Sequence, residues 1–143
     1  MPSLTGSFSG KITKQSALTL NDQPNHELSI AEVNGTQNSS DPLWTNAKIS
    51  YWGVTDVREG KGSQRGYYNN VHSDGGRDFG TFEGQVTATG GSITVEGTFK
   101  MTGGDGQYRG ISGDGTFKTV MKSETELEAS WEGNYALAQA QTR

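Results

Sequence analysis

Apolar and polar residues alternate one by one along most of this chain. From Ser92 to Thr102, Ile93, Val95, Gly97, Phe99 and Met101 fall on one side, against Thr94, Glu96, Thr98, Lys100 and Thr102 on the other. That two-residue period is the pattern of a strand with one packed and one wetted face. The stretch before Tyr135 repeats it, setting Leu127, Ala129, Trp131, Gly133 and Tyr135 against Glu126, Glu128, Ser130, Glu132 and Asn134. The pattern predicts eight strands: about Ser3 to Ile12, His26 to Asn34, Trp44 to Val54, Ser63 to Val71, Phe79 to Thr87, Ser92 to Thr102, Gly113 to Met121 and Thr125 to Tyr135. Turn residues punctuate them, among them Asn34-Gly35, Glu59-Gly60-Lys61-Gly62, Asp74-Gly75-Gly76 and Gly103-Gly104-Asp105-Gly106. No window of a dozen residues carries a helical apolar stripe, which excludes Rossmann units and helical bundles.

Gly-Thr-Phe recurs at Gly80, Gly97 and Gly115, with a near copy at Gly6-Ser7-Phe8. In each, the glycine and the ring share a face, so successive strands keep one register. A bare backbone position beside a ring on strand after strand suits a strongly curved sheet. The fold expected is all-β: a single eight-stranded antiparallel β-barrel over 1–143, with 136–143 as a fraying tail. The carboxylates Glu83, Glu96 and Glu132 fall on the polar face and are expected to be solvated or paired across strands.

Composition narrows the function. The chain of 143 residues is low in large aliphatic residues, but its net charge is only −4 and it carries 21 glycines and three tryptophans, which favours a folded β domain over disorder. Mild acidity offers no basic face for nucleic acid, and no apolar segment is long enough for a membrane helix. The N-terminal residues lack the pattern of a secretory signal, so the expected location is cytoplasmic. With no cysteine and two widely separated histidines, His26 and His72, thiolate chemistry is excluded, and neither a metal centre nor any other cofactor is expected.

The segment from Val95-Glu96-Gly97 through Met101-Thr102-Gly103-Gly104-Asp105-Gly106-Gln107-Tyr108-Arg109-Gly110 to Gly113-Asp114-Gly115 reads physically as a strand, a glycine-rich corner plugged by Tyr108, and the next strand. It resembles the allene oxide cyclase family, whose wider barrel superfamily includes the dirigent proteins. The resemblance covers the C-terminal half best, and the barrel it implies is allene oxide cyclase-like or, more broadly, calycin-like. In the N-terminal half, Glu32-Val33-Asn34, Pro42 and Asn46 look similar to the family's Glu-x-Asn, loop proline and following Asn. The resemblance implies Glu32, Asn34 and Asn46 as catalytic residues that stabilise charge and hold a water, with Pro42 against the substrate. Glu32 and Asn34, two apart, share a strand face. The segment from Asn34 to Asn46 is shorter than in the family, and Asn34-Gly35 reads equally well as a turn.

A second cluster, Tyr51, Trp52, Arg65, Tyr67, Tyr68 and Asn70, falls on two neighbouring strands. Tyr51, Arg65, Tyr67 and Tyr68 are candidates to bind substrate, the arginine holding an oxygen and the rings an apolar skeleton; core packing and ring stacking explain the same residues. His72, beside the Ser73-Asp74-Gly75-Gly76 loop, reads as a base at the barrel mouth or as a loop residue. The expected function is a cofactor-independent cyclase or isomerase acting on a small, largely apolar molecule in the lumen. A non-catalytic carrier is the alternative, and a solidly filled barrel serving assembly, a homo-oligomer through barrel faces, is the third.

Overall fold

The computed structural model describes residues 3–89 and 92–137, so most of the expected tail lies outside the described residues. Eight strands, β1 (Ser3–Leu20), β2 (His26–Ser39), β3 (Lys48–Arg58), β4 (Lys61–Val71), β5 (Arg77–Thr89), β6 (Ser92–Asp105), β7 (Ser112–Met121) and β8 (Glu126–Ala136), follow one another around a closed barrel. All neighbours are antiparallel, and β1 closes on β8 from Ser3 opposite Asn134 to Lys11 opposite Glu126. The fold class expected from alternation is the one observed.

The recurring rings and glycines interlock. Phe8, Phe82, Phe99, Phe117 and Trp131 all face the lumen. Opposite nearly every ring stands a glycine of the adjacent strand: Phe82 faces Gly66 and Tyr68 faces Gly80, Phe99 faces Gly115 and Phe117 faces Gly97, and Trp131 faces Gly6. Each ring lies over bare backbone, which lets a narrow barrel hold large side chains. A Cβ on Gly115 would come within 2.6 Å of the Phe99 ring. The rings meet edge to face, Tyr51 on Phe82 at 5.3 Å, Phe82 on Phe117 at 5.8 Å and Phe99 on Trp131 at 5.9 Å, the favoured geometry for aromatic quadrupoles. Glu83, Glu96 and Glu132 are exposed, and Glu96 pairs with Lys118 across β6 and β7 at 3.6 Å.

Two elements depart from expectation. Asn34-Gly35 is no turn: β2 runs straight through to Ser39 because Gly35 lies opposite Gly10, where a Cβ would overlap the β1 backbone. β1 runs eight residues past Ile12. A bulge between Ile12 and Lys14 shifts its phase, so the alternation expected from Ser3 onward breaks there. In the β1–β2 hairpin that results, β2 stays paired with β3 from His26 opposite Arg58 onward, while β1 past Ile12 has no strand on its other side among the described residues; Trp44, expected in β3, instead sits buried in the loop before it.

At the turn end of the β1–β2 hairpin His26 is held between two carboxylates, Nδ1 to Asp22 Oδ1 at 2.6 Å and Nε2 to Asp56 Oδ1 at 2.7 Å. Both partners are carboxylates, a setting that favours the doubly protonated ring. The bond to Asp22, then that to Asp56, raises its pKa against the pull of burial. A raised folded pKa contributes stability that is complete below the unfolded value near ~6.5 and is lost as pH rises through the folded one. An NMR titration of the His26 ring should give a midpoint above ~6.5, returning toward it in Asp56→Asn.

Candidate functional site

One end of the barrel is plugged, and the site lies beneath the plug. The β2–β3 loop inserts Trp44, the β6–β7 corner inserts Tyr108 from a single 3₁₀ turn (Gly106–Tyr108), and Leu4, Met101, Ile111 and Tyr135 pack around them. Tyr108 is fully buried, as its reading as a plug expects. Its hydroxyl donates to Asp74 Oδ2 at 3.2 Å, and Gln107 bonds the same oxygen. Tyr135 donates to Asp41 Oδ2 at 2.7 Å; burial and that carboxylate push its pKa up to about 12. These bonds tie the β4–β5 and β6–β7 connections to each other and the β2–β3 loop to β8.

Below the plug, the lumen keeps a cavity of about 80 Å³ walled chiefly by Phe8, Ile49, Tyr51, Phe82, Phe117 and Trp131. A chain of polar side chains crosses its plugged end. Trp131 Nε1 donates to Gln37 Oε1 at 3.0 Å, Gln37 Nε2 to Asn70 Oδ1 at 3.1 Å, and Asn70 Nδ2 to Asp78 Oδ2 at 3.4 Å. Asp78 Oδ1 then meets His72 Nε2 at 2.5 Å, and His72 Nδ1 donates to the Leu43 carbonyl at 2.6 Å. Asp78 is fully buried, and Gln37, Asn70 and His72 are each at most 3% exposed.

The proton inventory of the dyad follows from its partners. The Leu43 carbonyl only accepts, so Nδ1 carries a hydrogen. Nε2 faces a carboxylate oxygen, so a second proton lies between them, giving either an imidazolium with a carboxylate or an imidazole with a carboxylic acid. Burial alone lowers the His72 pKa, but the bonds to Asp78 and the Leu43 carbonyl outweigh it and the net shift is upward. The ring is pinned between aromatics, stacked on Tyr108 at 4.0 Å and edge-on to Trp44 at 4.9 Å. The dyad is buried and its orientation is fixed.

Tyr68 supplies the remaining feature. It is 8% exposed, lines the cavity, and its hydroxyl is a buried polar atom with no hydrogen-bond partner among the described residues. Burial, then the negative charge of Asp78, raises its pKa well above the usual phenol value, so it stays a neutral O–H donor. Leaving such a group unpaired costs about 1–3 kcal/mol.

The strand pleat divides the residues expected from sequence. Tyr51 and Tyr68 face each other across β3 and β4 inside the lumen, with Asn70 two residues on. Trp52, Arg65 and Tyr67, one step out of phase, point outward, so the expected six-residue cluster is two clusters on opposite faces. Glu32 and Asn34 do share a face, and it is the outer one, because Val33 and Gln37 take the inside. There Glu32 accepts from Trp52 Nε1 at 2.9 Å and Thr13 Oγ1 at 2.9 Å, bonds that, Trp52's first, lower its pKa. Asn34 donates to Thr13 at 2.8 Å and accepts from Ser50 at 2.5 Å. Pro42 and Asn46 are exposed in the β2–β3 loop, where Asn46 holds φ at +67°. The lumen therefore contains Tyr51 and Tyr68 of the expected set and none of Glu32, Asn34, Pro42, Asn46, Arg65 or Tyr67. Sequence reasoning missed Gln37 and Asp78, and left His72 as a mouth or loop residue. Their signal was phase: Asp78 precedes Gly80 and Phe82 by even steps, and Gln37 follows Val33 and Gly35 by even steps.

Comparison with solved structures gives a match over 100% of this chain and 91% of the other, at TM-score 0.53 and 11% identity, to the pterocarpan synthase dirigent protein GePTS1. The fold is similar to that of this dirigent protein. No family model and no curated protein matches the sequence. At 11% identity the likeness extends to the path of the backbone around the barrel.

Proposed function

We propose that this barrel binds a small, largely apolar molecule in its lumen and activates one oxygen of it at the plugged end. The unpartnered Tyr68 hydroxyl, buried on the wall of an aromatic cavity, carries this reading. A ligand carbonyl, ether or phenol oxygen would accept its hydrogen and recover the cost of its isolation. Asp78 lines the same cavity as Tyr68, and the proton it shares with His72 suits general acid or base assistance worth about 10²–10⁴ in rate. A rigid dry cavity also enforces one reactive conformer. Cofactor-free isomerisation or cyclisation needs nothing more, and the name of the dirigent neighbour, a pterocarpan synthase, is in keeping with a barrel that directs a small-molecule reaction.

The cavity size sets the ligand. At about 80 Å³ it is smaller than the ~150 Å³ engineered core cavity that takes benzene and far below the ~300–1,000 Å³ of drug-sized pockets. The ligand is a single small ring or short chain bearing one oxygen. The competing reading, a barrel filled for structure alone, is favoured by the same smallness, and a non-catalytic carrier by the aromatic wall.

Tyr68→Phe separates them. With phenol and cyclohexenone as probes, followed by tryptophan fluorescence, the wild type should bind and the variant should bind about tenfold more weakly. The unliganded variant should be more stable than wild type by about 1 kcal/mol, since an orphan hydroxyl has been removed. No binding of either probe to wild type favours the filled barrel. Binding that Tyr68→Phe leaves unchanged favours a carrier.

A further inference from the structure

Because β1 outruns β8, one strand edge is left open. β8 accompanies β1 only as far as Lys11, and Ile12 N–H makes the last bond on that side, to Thr125 O at 2.8 Å. From Lys14 to Leu20, β1 is paired to β2 alone, the longest stretch of unpaired strand edge among the described residues. Natural sheets blunt such edges with charges, prolines or bulges. Here the bulge falls before the open stretch, and Gln15-Ser16-Ala17-Leu18-Thr19-Leu20 carries neither charge nor proline. Leu18, 64% exposed, stands on its outer face directly across from Leu28 of β2.

We propose that this edge pairs antiparallel with the same edge of a second copy of this chain, about a two-fold axis through Leu18. That register sets Leu18 against its own copy and Ser16 against Leu20, and it brings Lys14 of each chain opposite Asp22 of the other. Asp22 is 55% exposed and uses Oδ1 for His26, leaving its other oxygen for the lysine. The two Leu18–Leu28 pairs then form one apolar strip across the seam. A two-fold contact consumes both edges and stops, where an edge that adds unrelated strands would not close. The chemistry that fits this edge is its own: uncharged in the middle, with one cation and one anion placed to meet their opposites after the two-fold turn.

The absence of cysteine from the chain makes the test direct. Residues facing each other across an antiparallel pair have Cα atoms about 4.5–5.5 Å apart, within the ~4.4–6.8 Å that a disulfide spans. Full-length Leu18→Cys should oxidise to a covalent dimer, while Thr36→Cys, exposed on the same β2 but on the barrel body, should not. Sedimentation of wild type over a broad concentration series should show a monomer–dimer equilibrium. Leu18→Glu, which sets like charges on the axis, should abolish it while leaving the thermal midpoint of the dilute monomer unchanged, since Leu18 is exposed there. A strictly monomeric wild type, a dimer that Leu18→Glu leaves intact, a trimer, or equal crosslinking at residue 36 would each overturn the proposal. Covalent capture of Leu18→Cys by another protein's thiol in place of its own copy would overturn it as well.

Discussion

Gly97→Val should cost more than about 3 kcal/mol of stability, whereas Thr98→Val, one residue along the same strand, should stay within about 0.5 kcal/mol. Gly97 faces the lumen opposite Phe117 on one side and Gly84 on the other. A Cβ there would overlap the Glu83 carbonyl oxygen and stand within 2.7 Å of the Glu83 carbonyl carbon. These are backbone atoms of β5, and they yield only if β5 moves away from β6 and breaks its ladder. Thr98 is exposed, and valine only replaces its hydroxyl by a methyl of like size, so nothing need move. Urea unfolding followed by tryptophan fluorescence measures both. Because the clash begins at Cβ, Gly97→Ala should already lose most of what valine loses; an alanine variant within about 0.5 kcal/mol of wild type would show that close backbone approach is not what this glycine serves.

The same geometry explains why the fold was legible. Gly-Thr-Phe at one phase on three strands, with Gly6-Ser7-Phe8 as a fourth, is a local record of a global fact: rings and glycines face one another across neighbouring strands of a tightly curved sheet. Side-chain period carries that information without long-range knowledge. What failed was anything that depends on strand ends. Asn34-Gly35 has the residues of a turn, yet Gly35 serves close packing on Gly10, which only the partner strand reveals. The bulge after Ile12 reversed the phase of Lys14 to Leu20, and a reversed alternation looks like the end of a strand.

The candidate site divided along the same line. Residue type pointed to Tyr51 and Tyr68, which face the lumen, and equally to Trp52, Arg65 and Tyr67, which face outward by one residue of phase. Glu32 and Asn34 satisfied the spacing of the family motif but stand on the wetted side of β2. Asp78 and Gln37 satisfied the phase of the inner face and went unweighed, since an acidic residue beside an arginine at a strand start ordinarily reads as surface. Periodicity ranks these residues better than chemical type does, because in a barrel only the inner phase can reach a ligand.

Asp78 is the position at which that ranking has its largest consequence. Asp78→Ala should lose about 3–5 kcal/mol, the usual cost of removing one partner of a buried charged pair, because it strands His72 Nε2 and Asn70 Nδ2 in a fully buried setting. Asp78→Asn keeps the volume and tests the charge. In wild type the folded His72 pKa is raised, so the native state holds more protons than the unfolded one in the window above ~6.5, and this contribution to stability declines as pH rises through it. Without the carboxylate, burial governs and the folded pKa falls below the unfolded value. The contribution then reverses, and it is lost as pH falls. His26 titrates identically in both proteins, so the difference between their stability–pH curves isolates His72. That difference should be greatest on the acid side and shrink toward alkaline pH. Parallel curves from pH ~5 to ~8 would mean that no proton is shared between His72 and Asp78, and the proposed acid–base role of the dyad would go with it.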